Sequence, residues 1–161
     1  KFVLCQELSK NYDAYWLSTY MYKKENDIKL YFGPIWDFNI AFNNCNYDGF
    51  HPYEGLIIDS QTPGPQLFFN KIFNLCRSEI ASFFHSSNVF KVDFIKKIIL
   101  DYSNLLKLSG IIERNFERWP ILGEYIWPNV DGYDERLTYE SEINLLNNFI
   151  EKRILWMSEN L

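Results

Sequence analysis

Two aspartates stand on either side of a hairpin signal: Asp13 in NYDAYW (11–16) and Asp37 in GPIWDFN (33–39). A hairpin returns its ends to one place, so acids that flank it are brought together. In phosphoryl transfer of the kinase type, one Asp accepts the proton of the attacking hydroxyl and a second holds the magnesium that bridges the phosphates. Asp13 and Asp37 can divide the work in that way. Asn11, Ser18 and Asn39 add neutral oxygens nearby, which suit a hard cation. The purely structural alternative is that Asp13 caps a turn and Asp37 accepts backbone N–H bonds in a tight turn after Pro34. Asp37 poses the question most sharply. It interrupts KLYFGPIWDFNIAFNN (29–44), which otherwise reads as buried strand and turn, and a buried charge costs on the order of several kcal/mol unless it is paired or holds a metal.

Other chemistry is excluded by what the chain lacks. There is no GxxxxGK[ST], GxGxxG, HExxH or GxSxG, which removes P-loop enzymes, dinucleotide enzymes, zincins and α/β-hydrolases. His51 and His85 stand alone and read as loop or surface residues. Cys5, Cys45 and Cys76 have no CxxC spacing or neighbouring His, so neither disulfide framework nor zinc site is expected, and they read as small buried hydrophobes. DGYDE (131–135) lacks the spacing of a calcium loop. A net charge of -5 with Lys and Arg dispersed offers nucleic acid no basic footprint. No apolar run approaches the roughly 20 residues that span a bilayer.

The elements that must position the two acids follow from periodicity. The 161 residues, 47% hydrophobic and 19% aromatic, are enough for one domain with a sizeable core. KFVLCQELSK opens directly on an apolar helical run, as if cut from something longer. LSTYMYK (17–23) and IKLYFG (28–33) are β-prone stretches joined by a polar turn, and residues 43–65 read as a long functional or covering loop. Helical stripes follow. Pro65 is placed at a helix start with Phe69, Ile72, Phe73 and Cys76 on one face. Phe94, Ile98, Tyr102, Leu105 and Leu106 form a second stripe, which stops at Gly110. A third starts at a Thr138 cap, with Glu140 and Glu142 in its first turn, and presents Ile143, Leu146, Ile150, Ile154, Met157 and Leu161. The expected fold is α+β and mostly helical: a helix, a hairpin, a loop and a helical bundle. Trp36, Trp119, Tyr125, Trp127 and Tyr133 are expected mainly in packing rather than as a sugar- or peptide-stacking surface. Arg114 and Arg118 are expected in ion pairs rather than on a phosphate.

Residues 11–44 resemble the core of the CotH kinase family, atypical secretory-type protein kinases named for a spore-coat protein, in which an N-x-D segment is followed by a hairpin and then by G-P-x-W-D-F-D. RNFERWPILGEYIWPN (114–129) resembles the family's R-N-x-x-R-W stretch. EINLLNNFIEKRILWMSENL (142–161) resembles its closing helix, with Arg153, Trp156, Asn160 and Leu161 in register with R-I-x-W-M-D-x-N-L.

The resemblance implies a protein-kinase-like C-terminal lobe with the hairpin near the active site, residues 1–161 being one partial domain without the amino-terminal nucleotide-binding lobe. It implies Asp13 as the catalytic acid and Asp37 as the magnesium-binding acid; Ser18 and Asn39 are expected as further metal oxygens from their nearness to these acids. It also implies ATP and Mg2+ as cofactors, a Ser- or Thr-bearing protein as acceptor, and an extracellular, envelope or spore-coat setting. One departure stands out: Asn39 occupies the position of the family's second acid, so the metal site has one charge fewer. The alternative is a non-catalytic kinase-like structural or binding module, associated with extracellular carbohydrate-active proteins and using its aromatics on glycans.

Overall fold

A computed structural model describes residues 1–47, 51–60 and 66–161. The first helix, α1 (Phe2–Ser9), ends where Lys10 turns into the left-handed region at φ 48, and the N–H groups of Lys10 and Asn11 return to the carbonyls of Glu7 and Gln6. That conformation costs a non-glycine residue roughly 1–2 kcal/mol, so something outside the helix must hold it. The Lys10 ammonium does so by donating to the carbonyls of His51 and Glu54.

The hairpin pairs β1 (Met21–Lys23) with β2 (Leu30–Phe32), Tyr22 opposite Tyr31. It is shorter than the β-prone stretches. Thr19 Oγ1 accepts the Tyr15 N–H at 3.0 Å. In the turn, Asp27 takes the Lys29 N–H at 2.9 Å and the Tyr31 hydroxyl at 2.6 Å. At the open end Gly33 N–H donates to Tyr20 O at 3.0 Å. Gly33 has φ 131, a value that suits only glycine, and it precedes a cis peptide to Pro34.

Part of the expected functional or covering loop is core. Leu56, Ile57 and Ile58 are buried, and a 3-10 turn spans Ile57–Asp59. The helix start placed at Pro65 lies outside the described residues. In α2 (Gln66–Leu75), Phe69 and Phe73 are buried as their spacing predicts. Cys76 is exposed, contrary to expectation, because α2 ends before it and α3 (Arg77–Ser86) begins after it.

The face of α4 (Val92–Leu108) is inverted relative to the sequence reading. Phe94, Ile98, Tyr102 and Leu105 are exposed, whereas Ile95 and Ile99 pack on the core and Ser103 is buried. The helix carries apolar residues at helical spacing on both sides, so periodicity alone does not choose between them. A short α5 (Ile111–Arg118) follows. The last helix, α6 (Tyr139–Asn160), starts at Thr138 with a reciprocal cap: Thr138 Oγ1 accepts the Ser141 N–H at 3.1 Å, and Ser141 Oγ accepts the Thr138 N–H at 3.2 Å. It buries Phe149, Ile150, Ile154 and Met157 against Leu4, Phe84 and Phe90, while a second cluster packs Tyr15, Phe69 and Phe73 with Ile57 and Ile58.

The architecture is thus α+β and mostly helical, with six α-helices and one two-stranded sheet among the described residues. No described helix is long and apolar enough to cross a membrane.

Candidate active site at the hairpin base

The segments bearing the two acids are laced together by backbone and side chain. Phe42 N–H donates to Ser9 O at 2.7 Å and Tyr12 N–H to Ile40 O at 3.4 Å. From Asn11 the chain winds through tight turns, with the Trp16 and Leu17 N–H groups both donating to Asp13 O. Across the hairpin ends, Ser18 Oγ donates to Asp37 Oδ2 at 2.9 Å. Two of the expected metal oxygens therefore meet.

Asp37 is not buried. It is exposed, and its backbone lies in the left-handed region at φ 62, as do Tyr15, Phe42 and Asn43 near it. Left-handed non-glycine residues persist only where their surroundings hold them, and they cluster at functional sites. The apolar run around Asp37 turns out to be half surface: Trp36, expected in packing, is 47% exposed and meets Tyr20 at a ring separation of 5.7 Å.

Asp13 is half-buried. Burial first, and then the negative charge of Asp37, raise its carboxyl above the usual carboxylate range. The two acids are therefore close enough to repel, and a divalent cation between them would relieve that repulsion. The donors are all hard oxygens, two carboxylates and a hydroxyl, which fits magnesium. Among the described residues no three His, Cys, Asp or Glu side chains gather, so a richer acidic cage is not formed. Asn39 is exposed, and its carbonyl accepts Asn44 Nδ2 at 2.7 Å.

Asn11 departs from its expected part. It is wholly buried and its oxygen is already used: Oδ1 accepts the Asp13 N–H at 3.3 Å, while Nδ2 donates to Gln6 Oε1 at 3.1 Å and to Asp37 O at 3.4 Å. Its amide thus links the Asp13 and Asp37 segments from a fully buried position.

Beneath the site lies a charged core that pattern reading missed. Glu7 and Arg153 are fully buried, their side chains 3.4 Å apart. The Glu7 carboxylate also accepts the N–H groups of Ile57 and Ile58 at 2.8 and 2.9 Å and the Tyr15 hydroxyl at 3.0 Å. Arg153 spends its other donors on the carbonyls of Glu7, Tyr53 and Gly55 and lies over Trp156. Burial raises the Glu7 carboxyl, while Arg153, the two backbone donors and Tyr15 pull it back. With four donors converging, this pocket is organised for the carboxylate. The only sequence sign was a Glu and a Lys inside the apolar run FVLCQELSK; Arg153 was marked by motif alone.

A flank of aromatics rises from Asp13. Tyr12 and Tyr47 are 4.2 Å apart, and Tyr47 meets Trp127 at 6.0 Å. Trp127 is 70% exposed and Trp119 57%, with Tyr125 also exposed, so these are not core. Asn46 pins their segment by donating from its N–H to Pro128 O at 2.8 Å. The arginines expected in ion pairs serve elsewhere: Arg114 donates to Ser109 O at 3.1 Å, at the end of α4, and Arg118 lies over Trp119.

Comparison with known proteins adds one finding. The profile of the family described as CotH kinase protein matches residues 1–157. No curated protein and no solved structure matches the chain.

Proposed function

Because the chain belongs to the CotH kinase family, with residues 1–157 matched, we propose that it is a phosphotransferase domain that moves the γ-phosphate of ATP to a Ser or Thr hydroxyl of a protein. The single observation that carries this is the convergence of Asp13, Ser18 and Asp37 at the base of the hairpin, with Asp37 acting on Asp13 through its charge.

Asp13 takes the proton from the acceptor hydroxyl, and its raised affinity for a proton suits a base. Asp37 and Ser18 would hold the cation, with Asn39 alongside. Asp13 and Ser18 have the spacing of the Asp and the metal-binding Asn in the D-x-x-x-x-N of protein-kinase catalytic loops, Ser taking the Asn position. When bound, magnesium offsets the charge that develops on the transferring phosphoryl group. The left-handed turn at Asp37 and the amide of Asn11 fix the acid before substrate arrives, so little reorganisation is needed in the transition state. The family's spore-coat association extends the proposal to an extracellular, envelope or spore-coat protein acceptor.

The test is phosphate transfer from ATP to a serine-containing protein by the full-length protein, with and without magnesium. Transfer that requires the metal and is lost in Asp13→Asn supports the proposal; metal-independent transfer, or none from a folded wild type, rejects it.

A specific feature favours a second function, a non-catalytic binding module. Asn39 removes one charge from the metal site, while Trp119 and Trp127 present exposed rings suited to stacking on sugars. Glycan binding without magnesium uptake would select it.

A further inference from the structure

Gln6 is buried without remainder in α1, and its Nε2 has no hydrogen-bond partner among the described residues. An orphaned buried donor costs about 1–3 kcal/mol, so a side chain that carries one is kept for what its other end does. The other end, Oε1, accepts Asn11 Nδ2 at 3.1 Å. Asn11 in turn accepts the Asp13 N–H and donates to Asp37 O. The orientation of the Asn11 amide is forced, because an N–H needs its oxygen and a carbonyl needs its nitrogen.

We infer that Gln6 and Asn11 form a buried amide brace that sets the relative position of the two acids, with Gln6 as a positioning residue that touches neither acid. The inference rests on the kinase reading for its catalytic consequence, but the brace itself stands on geometry. Asn11 reaches the backbone of both acid segments, and nothing else described bonds to both Asp13 N–H and Asp37 O. The Asp37 carbonyl belongs to a residue in the left-handed region, so the bond from Asn11 offsets strain at the point where the carboxylate is aimed. Gln6 fixes the rotamer of Asn11 from the helix side, as partners behind a ligand orient it and are worth roughly 10- to 100-fold in metal affinity or activity.

The test is Gln6→Met. Methionine fills similar volume, lacks the acceptor and removes the orphaned donor. Because it strands one Asn11 Nδ2 hydrogen while removing the Gln6 donor, the expected result is a thermal midpoint near wild type, magnesium affinity about ten-fold weaker by calorimetry with magnesium alone, and amide exchange at Asp13 about ten-fold faster under native conditions. A purely structural Gln6 would lower stability and affinity together, so unchanged affinity and exchange in a folded variant overturn the inference. Should Gln6→Met lose stability, Asn11→Ser is measured in its place. It keeps a short hydroxyl but cannot reach both acids, and faster exchange confined to the Asp13 amide supports the brace, whereas wild-type exchange there overturns it. If wild type binds no magnesium, the kinase reading fails, and the Asp13 exchange rate alone decides the brace.

Discussion

Ser18 Oγ donates to Asp37 Oδ2 at 2.9 Å, joining the two ends of the hairpin at the acid that would hold the cation. The bond orients one carboxylate oxygen and leaves the hydroxyl oxygen as a further donor to a metal. Ser18→Ala should weaken magnesium binding by roughly ten-fold while leaving the fold intact. Ser18→Asn, which supplies the amide of the D-x-x-x-x-N pattern, should retain wild-type affinity or better. Calorimetric titration of both variants with magnesium and nucleotide checks this; equal losses in the two would show that the site has no use for an oxygen at this position.

Asn39→Asp should strengthen magnesium binding, because it adds an anionic oxygen two residues after Asp37 in an exposed turn that can accept the charge. The same titration reads it. Unchanged affinity would place Asn39 outside the metal's reach.

Asp13→Asn should lower the rate of transfer by about 10²- to 10⁴-fold, the usual worth of a general base, with KM for ATP little changed. Since the half-buried Asp13 carboxyl is raised by burial and by Asp37, wild-type rate should climb with pH through that raised pKa and then level. A pH profile of kcat without this acid limb would remove Asp13 from the proton transfer.

Arg153→Met should destabilise the fold by about 3–5 kcal/mol, because it leaves Glu7 as a buried charge with its strongest partner gone. Urea denaturation measures it. A loss under about 1 kcal/mol would mean that the two backbone N–H donors and Tyr15 suffice for Glu7.

Lys10 gives a pH dependence with a definite sign. Burial first, then Arg153, push its ammonium down from 10.5 to about 8, against the pull of Glu7, Cys45 and Glu54. Between those values the unfolded chain holds the proton and the folded chain does not, so stability should rise with pH across that window and be flat below it. Lys10→Met should lack this rise. Urea midpoints for both proteins from pH 7 to pH 10 decide it, since tyrosine titration is common to the two; parallel curves would contradict the shift.

The helical plan was legible because Phe69, Phe73, Ile150, Ile154 and Met157 repeat at helical spacing and are buried. The hairpin was legible from its turn residues, and so was the meeting of its two ends, where Ser18 bonds Asp37. Alternation fails around Asp37, where the backbone leaves the extended region and Trp36 is exposed, and periodicity fails at α4, which is apolar on two faces. The Glu7–Arg153 pair was illegible for another reason: its partners are 146 residues apart, and single charges in apolar runs give no hint of who pairs with whom.

The most direct measurement is transfer of radiolabelled phosphate from ATP to a serine-containing acceptor protein by the full-length protein and by Asp37→Asn, with circular dichroism of both. The account predicts magnesium-dependent transfer by wild type and its loss in Asp37→Asn at unchanged helicity, since the exposed carboxylate offsets a cation and not a core charge. An Asp37→Asn protein that unfolds, or that transfers phosphate at the wild-type rate, would contradict it.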